Sequence, residues 1–269
     1  MIVSEINIYP IKSAKGIPLS SAMVEEQGLQ YDRRWMLVGN NGLFLTQRKI
    51  PRMALMDVRV KPDSLLVNAP GMNELIIPFE VKKSDSMMVT VWDDTVQAFT
   101  ISGEIDEWFS RFLDYPCKLV QMRKESTRPV EQKYAIQNDQ VSFADSFPLH
   151  LISEASLQDL NSRLETPVPM NRFRPNLVIR GCKSYEEDTW RVIKIGSVKF
   201  HVVKACARCT IPTVDQATAA QGKEPIQTLR QYRTVDGKVL FGQNLIHESN
   251  GMLHVGDEVA VIEYASRQA

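Results

Sequence analysis

The opening strand sets the pattern for the chain. In Ile2-Val3-Ser4-Glu5-Ile6-Asn7-Ile8, Ile2, Ile6 and Ile8 fall on one side and Glu5 and Asn7 on the other, the period of a half-buried strand. Short runs of the same kind predict strands over 35–38, 43–46, 56–60, 65–68, 88–92 and 96–100. Asn40-Asn41-Gly42 marks a hairpin turn between the first two, because Asn and Gly tolerate positive φ. Asp93-Asp94 is a weaker turn signal. Ile105, Trp108, Phe109 and Phe112 recur at helical spacing behind Ser102, which predicts a capped helix over 105–113.

The second half repeats this alternation with longer gaps. A strand is expected over 118–123. Residues 124–139 are polar, contain Pro129 and show little periodicity, so they read as a loop or linker that divides the chain into 1–123 and 124–269. A second helix is expected from Ser153, with Leu157, Leu160 and Leu164 on one face and Glu154 near the positive end of its dipole. Strands follow over 176–180, 198–203 and 258–264, with a short helix over 226–232. There are no internal repeats and no low-complexity segments. The pattern predicts a β-rich α+β fold, barrel-like and in two parts.

Composition narrows the function classes. A chain of 269 residues can bury a full core, and 43% apolar with 24% charged residues is ordinary for a soluble globular protein. Lys plus Arg equals Asp plus Glu at 32 each, which argues against a general nucleic-acid binder but leaves room for a local basic pocket. No run approaches the roughly 18 apolar residues of a membrane span. The first residues lack the basic and apolar regions of a signal peptide. Four cysteines do not make a secreted disulfide framework, so a cytoplasmic, reduced protein is expected.

Two of those cysteines stand three apart in Cys206-Ala207-Arg208-Cys209. A thiolate is a soft ligand and a strong nucleophile, and an arginine between two thiols favours the deprotonated form or binds an anion beside it. Two small buried residues are the plain alternative. Zinc needs four ligands, and His201 and Cys182 complete such a set only on paper. An iron–sulfur cluster needs four cysteines in recognisable runs, whereas Cys117 and Cys182 are isolated. A thioredoxin-like motif would open a helix, which Thr210-Ile211-Pro212-Thr213 does not. Basic residues also stand at strand edges in Tyr9-Pro10-Ile11-Lys12-Ser13-Ala14-Lys15-Gly16, in Tyr31-Asp32-Arg33-Arg34-Trp35 and in Asn171-Arg172-Phe173-Arg174-Pro175-Asn176. Converged, these segments would form an anion site; apart, they are solvated surface charge.

Taken in order, these segments carry a resemblance. Tyr-Pro-Ile-Lys-Ser-x-Lys-Gly, Asp32 to Trp35, Phe143-Ala144-Asp145, Ser153-Glu154-Ala155-Ser156-Leu157, Phe173-Arg174-Pro175-Asn176, the Cys-x-Arg-Cys element and Phe241-Gly242-Gln243-Asn244 together resemble the MOSC-domain family, especially its bacterial YcbX-type and mitochondrial amidoxime-reducing members. The likeness runs from Met1 to about Tyr264. It implies an N-terminal MOSC-type β-barrel module packed on a C-terminal MOSC β-barrel domain.

The resemblance also implies a molybdenum pyranopterin cofactor (Mo-molybdopterin). Cys209 would be the metal ligand and catalytic centre, with Cys206 its companion. Lys12, Ser13 and Arg33 would hold the pterin or its phosphate. Asp145, Ser146 and Phe147 would line the other side; Phe147 stands where a relative has serine, so its contact would be through backbone. Arg174, Asn176 and Arg208 complete the implied set. The implied reaction is reduction of a small N-hydroxylated substrate. Some YcbX-type relatives carry a C-terminal 2Fe–2S ferredoxin domain, and this chain ends at Ala269, so a separate ferredoxin-like or flavoprotein donor is expected, with no nucleic acid and no membrane involved. A sulfur carrier holding a cysteine persulfide, or a pterin-binding module without redox catalysis, stays open beside this reading. His150, His201, His247 and His254 lie outside the matched motifs and read as packing or surface residues.

Overall fold

A computed structural model of the chain describes residues 1–81 and 84–265. Its largest sheet orders the strands Val259–Tyr264, Trp190–Ile195, Val198–Ala207, Lys238–His247, Leu149–Ser153, Leu177–Arg180, Ile2–Ile8 and Ile17–Leu19, with Thr234–Val235 paired to Lys238–His247. Leu149–Ser153 and Leu177–Arg180 run parallel, joined through the helix Glu154–Asn161, as a parallel pair requires a crossover. The sheet curls until its ends meet. Ile2 bridges Glu258, and the Val259 N–H donates to the Met1 carbonyl at 2.9 Å. Such closure removes the unpaired edges that an open sheet exposes. Val3, Ile6, Leu151, Ile179, Phe200 and Leu245 fill the interior.

The chain's first strand therefore pairs with strands from the second half of the sequence. Its buried side is Val3, Ile6 and Ile8, with Ile2 only half-buried. A register shift between Val3 and Glu5 explains the departure from simple alternation: one extra residue moves the side chains before it to the opposite face.

The remaining strands make smaller sheets. Trp35–Gly39, Cys117–Gln121, Asp94–Thr100 and Ser86–Val91 form one; Asp57–Val60, Ser64–Asn68 and Leu75–Pro78 form another; Ser21–Glu25 pairs with Gly28–Leu29 and Gly251–His254. Trp35, Leu37, Leu65 and Leu119 pack against Phe109 and Phe112 of the helix Gly103–Leu113. The Ser102 hydroxyl accepts the Ile105 N–H at 3.4 Å and caps that helix. The third α-helix among the described residues is Ile226–Tyr232. None of these helices is long and apolar enough to cross a membrane.

One expected strand needs correction. The strand expected over 43–46 makes only isolated bridges, Val38 to Phe44 and Leu43 to Thr90. Its continuation turns inward instead, where the fully buried Gln47 donates to the Ser13 carbonyl at 2.7 Å. Residues 124–139 do form a loop, but Arg128 within it is among the largest fully buried side chains.

Candidate functional site

The strand Ile2–Ile8 delivers the chain directly into a cavity. Residues 9–13 and 31–35 lie side by side: the Arg33 N–H donates to the Tyr9 carbonyl at 2.9 Å, and the Lys12 N–H to the Trp35 carbonyl at 2.8 Å. The Tyr9 N–H donates to Asp32 Oδ1 at 2.8 Å. The Tyr9 ring sits against two guanidinium groups, with the Cζ atoms of Arg33 and Arg174 each 4.2 Å from its centroid. Arg33 Nη1 donates to Asp32 Oδ2 at 2.6 Å and to Asn176 Oδ1 at 3.1 Å, and its Nη2 to the Arg174 carbonyl at 3.2 Å. Arg174 Nη1 donates to the Ala14 carbonyl at 2.7 Å. Burial lowers the Arg174 pKa to about 10 and raises that of Tyr9 to about 12, because both charged forms lose solvent.

This wall carries backbone strain. Ser13, Arg33 and Arg174 have φ of 68°, 50° and 56°, in the left-handed region that non-glycine residues seldom occupy. Each costs about 1–3 kcal/mol and persists only where surrounding contacts enforce it. For Arg33 and Arg174 those contacts are the hydrogen bonds just described, and for Ser13 the bond from buried Gln47 to its carbonyl.

Lys12 crosses to the other side. Its Nζ donates to the Phe143 carbonyl at 2.7 Å and to Asp145 Oδ1 at 2.6 Å. Trp92 Nε1 donates to the same oxygen at 3.2 Å. Buried Arg128 holds this loop in place, donating to the Ser142 carbonyl at 2.9 Å, the Asp145 carbonyl at 2.8 Å and Asp94 Oδ2 at 2.8 Å. Burial lowers the Lys12 pKa to about 8, with Asp145 opposing. Burial acts to raise the Asp145 carboxyl, but Lys12 and Trp92 outweigh it and hold the group well below the carboxylate range. The Lys12 side chain is 7% exposed and that of Asp145 57%, so the pair opens to solvent on its acidic side.

The third side comes from the end of Val198–Ala207. A register shift between Ala205 and Ala207 breaks its pairing at Cys206 and turns the chain along the cavity. Arg208 is fastened by its side chain: Nε donates to the Phe241 carbonyl at 2.8 Å, Nη1 to the Phe173 carbonyl at 3.1 Å, and Nη2 meets His150 Nε2. His150 Nδ1 donates to the Gln243 carbonyl at 2.9 Å, which assigns Nε2 as the acceptor. Burial, and then Arg208, depress the His150 pKa well below its usual value, so the ring is neutral. Gly242, with φ of 77°, lets the neighbouring strand pass: a Cβ there would lie 2.7 Å from His150 Cε1 and 2.7 Å from the Leu151 carbonyl oxygen. Cys209 is half-buried, and its Sγ accepts the Ile211 N–H at 3.5 Å from a single 3-10 turn, Ile211–Thr213. Cys206 bonds only weakly, to the Ala207 carbonyl at 4.0 Å; burial pushes its thiol pKa up, with Arg208 opposing. Both cysteines are free thiols.

One cavity gathers every residue that the resemblance implied as a cofactor or metal contact. Lys12, Ser13 and Arg33 line it from the N-terminal segments, and Asp145, Ser146 and Phe147 from the Arg128-held loop. Arg174, Asn176, Arg208 and Cys209 complete the wall. Asn176 is 1% exposed and its amide is already engaged: Oδ1 accepts from Arg33 and from the His150 N–H, and Nδ2 donates to the Asn7 carbonyl. Phe147 packs edge-on against Tyr134.

The structure also adds residues. His150, read from the sequence as packing or surface, lines the cavity; so do Arg48, Arg172 and Cys206. Arg172 was legible through its neighbours, whereas Arg48 and His150 enter from a turn and a buried strand that carry no motif. His201, His247 and His254 lie outside the lining. Among the described residues the cationic side chains on the wall are Lys12, Arg33, Arg48, Arg172, Arg174 and Arg208, against the single carboxylate Asp145. Asp32 and Asp215 neutralise Arg33 and Arg172 from behind. Among the described residues Arg48, Arg174 and Arg208 have no ion-pair partner, which leaves an electropositive cavity with a thiol at its rim.

Comparison with known proteins shows the family. The MOSC N-terminal beta barrel domain matches residues 1–116 and the MOSC domain matches residues 138–260. Mitochondrial amidoxime reducing component 2 of Rattus norvegicus is 37% identical, over 96% of this chain and 82% of its own length. Mitochondrial amidoxime-reducing component 1 is 37% identical in Mus musculus and 35% in Homo sapiens, each over 97% of this chain and 82% of the relative. The chain belongs to the MOSC family, together with the amidoxime-reducing components.

Proposed function

We propose that the cavity holds a molybdenum pyranopterin and that the protein reduces small N-hydroxylated compounds. The observation that carries this reading is the half-buried Cys209 thiol at the rim of a cavity whose cations outnumber its carboxylates. The donor set suits such a group. Arg33, Arg174 and Lys12 present fixed donors for an anionic phosphate, and Cys209 offers one soft ligand. Among the described residues no group of three or more His, Cys, Asp or Glu side chains gathers, so a metal at Cys209 would take its other ligands from a non-protein group.

When bound, the cofactor would supply the oxygen-atom and electron transfer. The chain's own residues bind and orient. Arg208, locked by the Phe241 and Phe173 carbonyls and by neutral His150, keeps a positive charge beside Cys209. The net reaction breaks the N–O bond with two electrons and two protons, leaving the amine or amidine and water. The electrons would come from a separate ferredoxin-like or flavoprotein donor in a reduced compartment such as the cytoplasm. The test is conversion of benzamidoxime to benzamidine by molybdenum-loaded protein, with dithionite-reduced benzyl viologen as a donor-independent electron source. Steady product formation is expected; loaded protein that forms none contradicts the reading.

A further inference from the structure

A second cleft opens along the Ala207–Thr210 segment. It shares Arg48, Ala207, Arg208 and Cys209 with the main cavity, then runs outward along Thr210, Arg230, Thr234 and Lys238. Cys209 thus stands between two depressions. The inner one is deep in buried donors; the outer one is lined by exposed Arg230, Thr234 and Lys238, with buried Ile226 and Val239 beneath them, on the helix Ile226–Tyr232 and on the hairpin formed by Thr234–Val235 and Lys238–His247.

The charge of the outer cleft is one-sided. Arg48, Arg208, Arg230 and Lys238 line it, and among the described residues no carboxylate does. Among the described residues none of these four has an ion-pair partner. The hairpin's own acid, Asp236, sits at the turn and outside the lining. Arg208 is held by backbone carbonyls, and Arg48 by the Trp92 ring with its Cζ 4.3 Å from the centroid, contacts that position a guanidinium without cancelling its charge. Thr210 and Thr234 add hydroxyl donors on the same walls.

We propose that this outer cleft receives the anionic end of the substrate, a carboxylate or phosphate carried at a distance from the N-hydroxyl group that reacts beside Cys209. The inference deepens the reductase reading and rests on it. A concave cleft that reaches the reacting edge suits a small molecule, and cations converging without acids suit an anion. Substrates of this class enter with the charge toward Arg230 and Lys238 and the N–O bond toward Cys209.

The test compares benzamidoxime with its 4-carboxy and 4-phosphono derivatives on loaded protein, using the viologen donor. The anionic compounds should show a KM lower by on the order of tenfold, at similar kcat. Joint substitution Arg230→Glu and Lys238→Glu should erase that advantage and leave neutral benzamidoxime unchanged. A drop confined to one derivative tells carboxylate from phosphate as the preferred charge. Equal KM values for charged and neutral compounds overturn the proposal. So does a double variant that alters only electron transfer from an acidic flavoprotein donor, which would make the cleft a protein dock. Calorimetric titration of 4-carboxybenzamidoxime gives a readout without turnover: binding to the wild type that weakens in the double variant is expected, and unchanged binding overturns the idea. Failure to reduce even benzamidoxime, with charge-dependent binding intact, would instead break the reductase reading and leave the cleft's ligand class standing.

Discussion

Two walls of the cavity use their side chains in opposite ways. The wall formed by residues 9–14, 31–34 and 172–176 is buried, strained and cross-bonded, with Ser13, Arg33 and Arg174 locked in left-handed backbone. The wall at Cys206 to Ile211 is half-exposed, and its two sulfurs make only long contacts of 3.5 and 4.0 Å. A rigid wall grips a permanent ligand, because its donors need no reordering on binding. The loosely bonded thiol of Cys209 would keep its ligating capacity for the proposed cofactor. On the proposed reading, the contrast divides the site into a holding side and a reacting side.

That division can be broken at either wall. On the reacting side, Cys209→Ser should lower benzamidoxime reduction by at least about a thousandfold, since a hydroxyl is a harder and far more basic ligand than a thiolate; steady-state assay of loaded protein measures it. On the holding side, Arg33→Ala leaves the 1%-exposed Asp32 carboxylate buried without its partner. The expected cost is about 3–5 kcal/mol in chemical denaturation, with weaker cofactor retention.

Lys12 gives the pH dependence. Its folded pKa of about 8 lies below the usual lysine value, so between about pH 8 and 10.5 the unfolded chain binds more protons than the folded one. Stability should therefore rise with pH across that window by about 1–3 kcal/mol, and Lys12→Met should flatten the profile. Smaller again, Ser13→Val should cost about 1–2 kcal/mol and Ser13→Gly should be tolerated, because φ of 68° excludes a β-branched residue and suits glycine. Cys206→Ser should be the mildest, below about 1 kcal/mol and with activity retained.

What was legible in the sequence was local. The helix Gly103–Leu113 announces itself through Ser102 and the 3.6-residue spacing of its apolar side chains, and Ile226–Tyr232 lies where expected. Leu149–Ser153 was not legible as a strand because all five residues are buried, which removes the alternation that marks a half-exposed strand. Lys238–His247 hid for a related reason: Gly242, Gln243 and Asn244 interrupt its apolar run where it passes His150 and the cavity. Within the site, motif residues were visible because each stands in a segment with its own signature. Arg48, His150 and Arg128 act at long range in sequence, and only the closed sheet and the anchored 124–139 loop bring them in. The register shifts at Val3 and Cys206 are also set by tertiary pairing, so no local pattern marks them.

The most direct test of the division between walls is metal content. Wild-type, Cys206→Ser and Cys209→Ser proteins, produced in a host that makes the pterin cofactor, should be compared by mass spectrometric metal analysis and circular dichroism. We expect molybdenum near one per chain in the wild type, most of it retained in Cys206→Ser, and little in a folded Cys209→Ser. A wild type without molybdenum, or retention lost at Cys206 and kept at Cys209, would contradict the account.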